Sequence, residues 1–229
     1  MIQSPASLRH RLVRLEARFH ERGPAHRETL SKIRQEPSLL MSLAELDPDP
    51  WQDRLLRELP DRTLLLASRQ VGKSQVAAAL ALRVALLEPR SPILLWSPTI
   101  RQSGELFRKV LDLYAAVGRP VPLVAASALR LELANGSRIV SLPGTEGTVR
   151  GYSGVALLVI DEAARVADAL YCAVRPMLAV SRGRLVALST PFGKRGWFHD
   201  AWHSDEPWER VRITAPECSR ITPEFLTEE

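Results

Sequence analysis

The stretch "TLLLASRQVGKSQVAAALALRVALLE", residues 63–88, decides how this chain is read. "TLLLA" is a short apolar run of strand character. "SQVAAALALRVALLE" has the Ala- and Leu-rich composition of a mostly buried helix. Between them lies "ASRQVGKS", Ala67 to Ser74. A glycine-bearing loop between a strand and a helix is where successive backbone N–H groups and the positive helix end together cradle phosphate. Gly72 lets the backbone approach the anion, Lys73 reaches the outer phosphates, and the Ser74 hydroxyl suits Mg²⁺; Ser68, Arg69, Gln70 and Val71 complete the loop. The usual pattern opens on glycine and this one on Ala67, but the residues that touch phosphate and metal are retained. A chance [AG]-x-x-x-x-G-K-[ST] match arises in about 1 to 2 per cent of chains this long at average residue frequencies.

Working outward, "PILLWS" (92–97), "VALLVID" (155–161) and "GRLVALSTP" (183–191) are further apolar runs, and a helix is expected from about Ile100 to Val117. "LRLELANGSRIVSL" alternates on both sides of Asn135-Gly136, the pattern of a hairpin. Continuous apolar strands separated by helices predict a largely parallel sheet covered on both faces. Ligands of such sheets sit at the carboxyl ends of the strands, where the polar residues of these runs are concentrated.

"LLVIDEAARV" ends its apolar run on Asp161 and Glu162. One carboxylate there can bind Mg²⁺ and its neighbour can polarise an attacking water, the two roles phosphoryl hydrolysis needs. The same pair is also a common strand terminus or helix cap; its combination with the glycine loop favours the catalytic reading. Asp161 lies 88 residues beyond Lys73, with the 92–97 strand between them. That spacing and the adjacent glutamate fit the additional-strand catalytic-glutamate ATPases. The expected fold is therefore α/β: a three-layer, RecA-like P-loop NTPase with a mostly parallel central sheet and an N-terminal helical segment. ATP and Mg²⁺ are the expected cofactors. Ser189 and Thr190 close the fourth run with hydroxyls suited to sensing the γ-phosphate or the attacking water, or to capping a helix. In "FGKRGWFHDAWHS", Lys194 and Arg195 lie among Phe192, Trp197, Phe198 and Trp202, either gripping a phosphate backbone or facing solvent while the aromatics cap the sheet. His199 and His203 have a metal-pair spacing but no third ligand.

On "PWQDRLL", "ASRQVGKS", "LLWSPTIRQSGELF", "VRGYSG", "LLVIDEAARV" and "LVALSTPFGKRGWF", the chain resembles the large terminase subunit of tailed bacteriophages, a motor that moves DNA into preformed capsids, over most of its length. The resemblance implies an ATPase that translocates double-stranded DNA in the cytoplasm of the bacterial host. Implied partners are a portal protein, a small terminase subunit and a homo-oligomeric ring, with a monomer as the isolated form. Trp51 and Gln52, about twenty residues before the loop, resemble the adenine-reading position of helicases and packaging motors; an amide presents one donor and one acceptor to the N6 and N7 edge of adenine. Arg69 matches the arginine many terminases carry in this loop, and a guanidinium there offers planar donors to developing charge. Arg150 matches an arginine that some terminases insert into the neighbouring subunit's site. Ser189 and Thr190 resemble the coupling motif, and Arg101 and Gln102 lie in a segment that faces DNA or the nucleotide in such motors. Large terminases carry a C-terminal nuclease domain; the residues after Trp208 read as about one strand and the start of a helix, so no nuclease activity is expected of this stretch.

The remaining composition agrees. The 229 residues are 45% hydrophobic and 25% charged, ordinary for a globular core. A net charge of +5 suits a polyanionic partner without requiring one. Two cysteines do not make a disulfide framework. The first residues lack the apolar run of a secretory signal, and no segment suits a membrane span. Leu8, Leu12, Leu15 and Phe19 fall on one helical face, with "GPAH" (23–26) expected to break that helix and "DPDP" (47–50) to mark a boundary. Residues 1–48 are thus expected as a helical segment packed on the core, and 49–229 as the ATPase domain. Two other readings share part of this pattern: a helicase-type translocase fragment, which normally needs a second RecA-like lobe, and a nucleotide-gated assembly module with little turnover of its own.

Overall fold

The computed structural model describes residues 23–144 and 152–218. The apolar face of Leu8 to Phe19, Arg150 with its flanking glycines, and the chain after Cys218 lie outside the described residues.

The 63–88 stretch folds as it reads. β1 (Arg62–Ala67) enters the loop and α4 (Lys73–Leu87) leaves it. β2 (Pro92–Ser97), β6 (Leu157–Asp161), β7 (Arg184–Ser189) and β8 (Glu209–Ile213) are the other buried or half-buried strands of the parallel part, together with β5 (Arg138–Pro143). With β3 (Leu123–Ser127) and β4 (Arg130–Leu133) at one side, the eight-stranded sheet runs β3-β4-β5-β2-β6-β7-β1-β8. From β5 to β8 every adjacent pair is parallel; β4 pairs antiparallel with β5 and with the edge strand β3. Along the chain β2, β3, β4 and β5 all lie between the two phosphate-site motifs. In space the strand inserted between β1 and β6 is β7.

The uninterrupted apolar runs have a direct cause: both faces are covered. Leu65, Ile93, Leu95, Leu157, Val159 and Leu188 point into one core, while Leu64, Leu94, Leu158, Ile160, Leu185 and Ala187 point into the other. Strand side chains alternate between faces, so covering both removes the polar positions of a half-exposed strand. On the first face α4 is buried nearly all round, its alanines admitting α5 (Ile100–Ala116) at close range. α5 is amphipathic, with Ser103, Leu106, Phe107, Val110, Leu113 and Tyr114 buried at helical spacing. On the second face α6 (Asp168–Val174) and α8 (Gly196–His203) meet through Tyr171 and Trp197, stacked at 3.9 Å between ring centroids. Trp197 and Phe198 therefore do cap the sheet, and α7 (Pro176–Ala179) joins them through Met177.

Before β1, residues 23–35 are helical (α1), so "GPAH" forms the first turn of a helix; the preceding helix it is expected to end lies outside the described residues. Proline's fixed φ is itself helical, and Thr29 Oγ1 donates to Ala25 O at 3.0 Å within this segment. Ile33 of α1, with Leu40 and Met41 of α2 (Leu39–Ser42), is buried in the core that holds α4 and α5. "DPDP" does mark a boundary: Asp49 caps α3 (Pro50–Glu58), with Pro50 in its first turn. The Asn135-Gly136 turn joins β4 to β5 as expected, and Asn135 Nδ2 donates to Ala85 O at 2.8 Å, tying the hairpin to the end of α4. β3 escapes a pattern reading because "LVAAS" is exposed along its whole length. Cys172 and Cys218 are free thiols, and no described helix is long and apolar enough to cross a membrane.

The turn into β7 holds the closest approach met at any described glycine. A Cβ added to Gly183 would stand 1.9 Å from the carbonyl oxygen of Val155, a backbone atom fixed by the start of β6. Gly183→Ala is therefore expected to destabilise the chain by about 2–4 kcal/mol, as overpacking against rigid backbone does, which is roughly 5–15 °C in Tm for a chain of this size. A thermal melt of the variant beside the parent checks this.

Candidate active site

Three neighbouring strands, β6, β7 and β1, end on one edge of the sheet, and their last residues carry the polar groups. Ala67, where the loop pattern usually has glycine, is 1% exposed at the end of β1 and belongs to the core. A methyl group packs there, which removes the need for glycine. Val71 is likewise fully buried and pins the loop, while Arg69 and Gln70 are exposed. Gln70 (φ 63°) and Gly72 (φ 86°) take left-handed conformations, the kind of turn that points successive N–H groups into one concavity. Gly72 is also the N-cap of α4, so the positive end of a 15-residue helix faces the same concavity.

Lys73 is nearly buried, and its Nζ donates to the carbonyl oxygens of Ser68 (2.7 Å) and Ala67 (3.4 Å). Burial holds its pKa below the ordinary lysine value; Glu162 and then Asp161 oppose that shift, and Arg69 adds to it. Lysine and both acids therefore share one electrostatic site. A cavity of about 610 Å³ opens in front of the loop, lined by Gly72, Lys73 and Ser74 on one side and by Met41, Asp47 and Gln52 on the other. Lys109 of α5 also lines it and acts electrostatically on Asp161. Sequence reading passed over Lys109. It is one cation in a helix that carries several, and only the packing of α5 beside α4 brings it here.

Gln52 lies on this cavity wall, 1% exposed, and both edges of its amide are engaged. Oε1 accepts from Asp49 N at 2.8 Å, and Nε2 donates to Gly72 O at 3.3 Å. It thus closes the cap of α3 and ties that helix to the phosphate loop, leaving one lone pair and one N–H for a ligand. Trp51 packs against the core and does not line the cavity.

At the end of β6, Asp161 is 7% exposed. Burial, and then the charge of Glu162, push its carboxyl up from 3.8 to about 6, against the backbone N–H of Glu162, which donates to Oδ1 at 3.0 Å. Glu162 is left-handed (φ 50°, ψ 42°), an uncommon conformation for a non-glycine residue and one enriched at functional sites. Thr190 Oγ1 donates to Glu162 Oε2 at 3.2 Å. Ser189 is fully buried, accepts from Ala164 N at 3.2 Å and donates to Thr190 O at 2.8 Å. The two hydroxyls at the end of β7 thus bind the turn that carries the acids; they do not cap a following helix. Arg165, which sequence reading also passed over, reaches Glu162 Oε2 with Nε at 3.5 Å.

The residues considered for nucleic acid stand elsewhere. Arg101 is exposed, and Gln102 is engaged in the cap of α5: Thr99 Oγ1 donates to its Oε1 at 2.9 Å and accepts from its N–H at 3.2 Å. Lys194 and Arg195 are exposed on a second cleft, with Arg195 over the ring of Phe192 at 5.3 Å. His203 Nδ1 lies 2.8 Å from His199 O, and no group of three metal-ligating side chains occurs among the described residues.

The family described as terminase large subunit, T4likevirus-type, N-terminal, matches residues 64–219. Among solved structures, the large terminase ATPase domain of Thermus phage P74-26 is similar with a TM-score of 0.71 at 19% identity, covering 82% of this chain and 89% of that one. The HK97 bacteriophage large terminase is similar at 0.60 and 16%, covering 78% of this chain and 43% of that one. A large terminase from a thermophilic bacteriophage, solved in complex with ADP, is similar at 0.61 and 13%, covering 84% and 48%. No curated protein matches by sequence. The matched region takes in the phosphate loop, the acid pair and the hydroxyl pair of β7, and the chain belongs to the terminase large subunits of this type.

Proposed function

We propose that this chain hydrolyses ATP and that hydrolysis drives double-stranded viral DNA into a capsid. The observation that carries this reading is the Glu162 carboxylate, set beside Asp161, bonded to Thr190 and electrostatically coupled to Lys73. A glutamate so placed can polarise the attacking water, while the loop N–H groups and Lys73 hold the phosphates. Gln52 meets the adenine edge with its remaining lone pair and N–H, and Trp51 supports α3 from the core side. Ser68, Arg69, Gln70 and Val71 shape the loop around the phosphates.

The Ser74 hydroxyl and the Asp161 carboxylate would hold Mg²⁺, and the desolvation of Asp161 beside a second acid is the environment a divalent cation relieves. When bound, the ion neutralises charge between the outer phosphates. Arg69, exposed on the loop, supplies a guanidinium to developing charge in its own subunit, and Arg150 supplies one to a neighbouring subunit in a ring. Ser189 and Thr190 pass the state of the nucleotide from Glu162 to β7. Arg101, Gln102, Lys194 and Arg195 are the proposed DNA contacts. Portal protein, small terminase subunit and the remainder of a longer terminase chain complete the proposed assembly in the host cytoplasm.

Glu162→Gln is expected to keep nucleotide binding while lowering turnover by about 10²-fold or more, since a general base is removed and the fold kept; nucleotide-binding titrations and phosphate release measure the two. The pH dependence of stability follows from Asp161. Its folded pKa of about 6 lies above 3.8, so the native state binds this proton more tightly than the unfolded chain. The carboxylate therefore subtracts from stability above about pH 6, and the loss vanishes as pH falls below about 4. Asp161→Asn should raise the nucleotide-free Tm near neutral pH, by up to about 3 kcal/mol of stability, with the gain shrinking toward pH 4, and should abolish Mg²⁺-dependent turnover. Arg150→Ala mixed with Glu162→Gln should recover part of the turnover that each lacks alone; no recovery at any ratio would remove the trans role.

A further inference from the structure

Glu162 and Arg165 bracket a single 3₁₀ turn, Ala163–Arg165, in which Arg165 N donates to Glu162 O at 2.8 Å. Side chains three apart eclipse in such a turn, which is why Arg165 Nε comes to lie 3.5 Å from Glu162 Oε2. The guanidinium is held from its other side as well: its Cζ stands 4.1 Å from the centre of the Phe192 ring. Phe192 follows Thr190 by two residues, and Thr190 bonds the same Oε2. Two groups therefore fix one oxygen of a flexible carboxylate, while among the described residues no hydrogen bond or ion pair engages Oε1. An ion pair whose arginine is 40% exposed adds little to stability. Direction is what it supplies: a glutamate side chain otherwise populates several rotamers, and a base works only when aimed at its proton.

We propose that Arg165 is the positioning residue for the catalytic glutamate and that Phe192 is its seat, so that Glu162 Oε1 is presented to the attacking water only while the segment Thr190–Arg195 is in place. Arg165 does not react. Its planar guanidinium pairs with the carboxylate at one edge and stacks on the ring by its face, a combination lysine does not reproduce. The segment after β7 thereby acts on the acid at the end of β6 through one arginine. This rests on the ATPase reading above.

The test is steady-state ATP turnover by the full chain for Arg165→Gln, Arg165→Lys, Phe192→Ala, Phe192→Leu, Phe192→Tyr and the double variant Arg165→Gln/Phe192→Ala, with a melt of each. Arg165→Gln and Phe192→Ala should each lower kcat by about 10- to 100-fold with KM within about twofold, the pattern of an interaction that matters in the transition state. Phe192→Tyr should keep at least half of the parent kcat, at roughly the scatter of such measurements, and Arg165→Lys should fall between parent and Gln. The double variant should be no slower than the slower single one, because both substitutions break the same contact. If Phe192→Ala does not fold, Phe192→Leu keeps the bulk and removes the ring face, and should show the same loss. Parent-level kcat for Arg165→Gln or for the folded Phe192 variant, losses that multiply in the double variant, or a loss confined to KM would each overturn the proposal. No turnover by the parent chain would instead remove the ATPase reading itself.

Discussion

The insertion of β7 between β1 and β6 is the constraint on which the site depends. In the parallel register Asp161 of β6 lies level with Leu188 of β7, and Ser189 of β7 level with Leu66 of β1. Phosphate loop, hydroxyl pair and acid pair therefore leave the sheet at nearly the same height on adjacent strands. With β1 and β6 directly paired, Lys73 and the acids would crowd together. With β7 between them the two are one strand further apart, and Ser189 and Thr190 of that strand hydrogen-bond the acid-bearing turn.

The free energy that holds this arrangement lies away from it. The strands are buried on both faces, α4 is buried nearly all round, and the Tyr171–Trp197 stack closes the second face. A rigid sheet of this kind can carry unfavourable features at its edge: a desolvated Asp161, a left-handed Glu162 and a nearly buried Lys73 satisfied by carbonyl oxygens. Each is costly on its own. The desolvation of Asp161 and of Lys73 is also what binding a metal-nucleotide pair would relieve, so that local cost and the proposed function have one origin.

Much of the fold was legible because its causes are local. Apolar runs from 92, 155 and 183 became β2, β6 and β7 with shifts of a few residues at most, and Asn135-Gly136 announced its hairpin. The misreadings are also physical. β3 escapes the pattern because an exposed edge strand needs no apolar alternation. Gln52 was read only for a ligand, yet it serves first as the N3 residue of a capping box and as a tether to Gly72.

The chemistry available is written in the residues: a strand–loop–helix able to hold phosphate, two adjacent acids at a strand end and two hydroxyls at another. These are short-range patterns, and residue identity at fixed spacing is enough to state them. Which of these groups meet is set by packing. That Thr190 bonds Glu162, that Lys109 joins the cavity wall, and that Arg165 lies between Glu162 and Phe192 all follow from strand order and helix packing. Contacts between residues far apart in the chain depend on how two covered sheet faces are filled, and no spacing within a single segment records that.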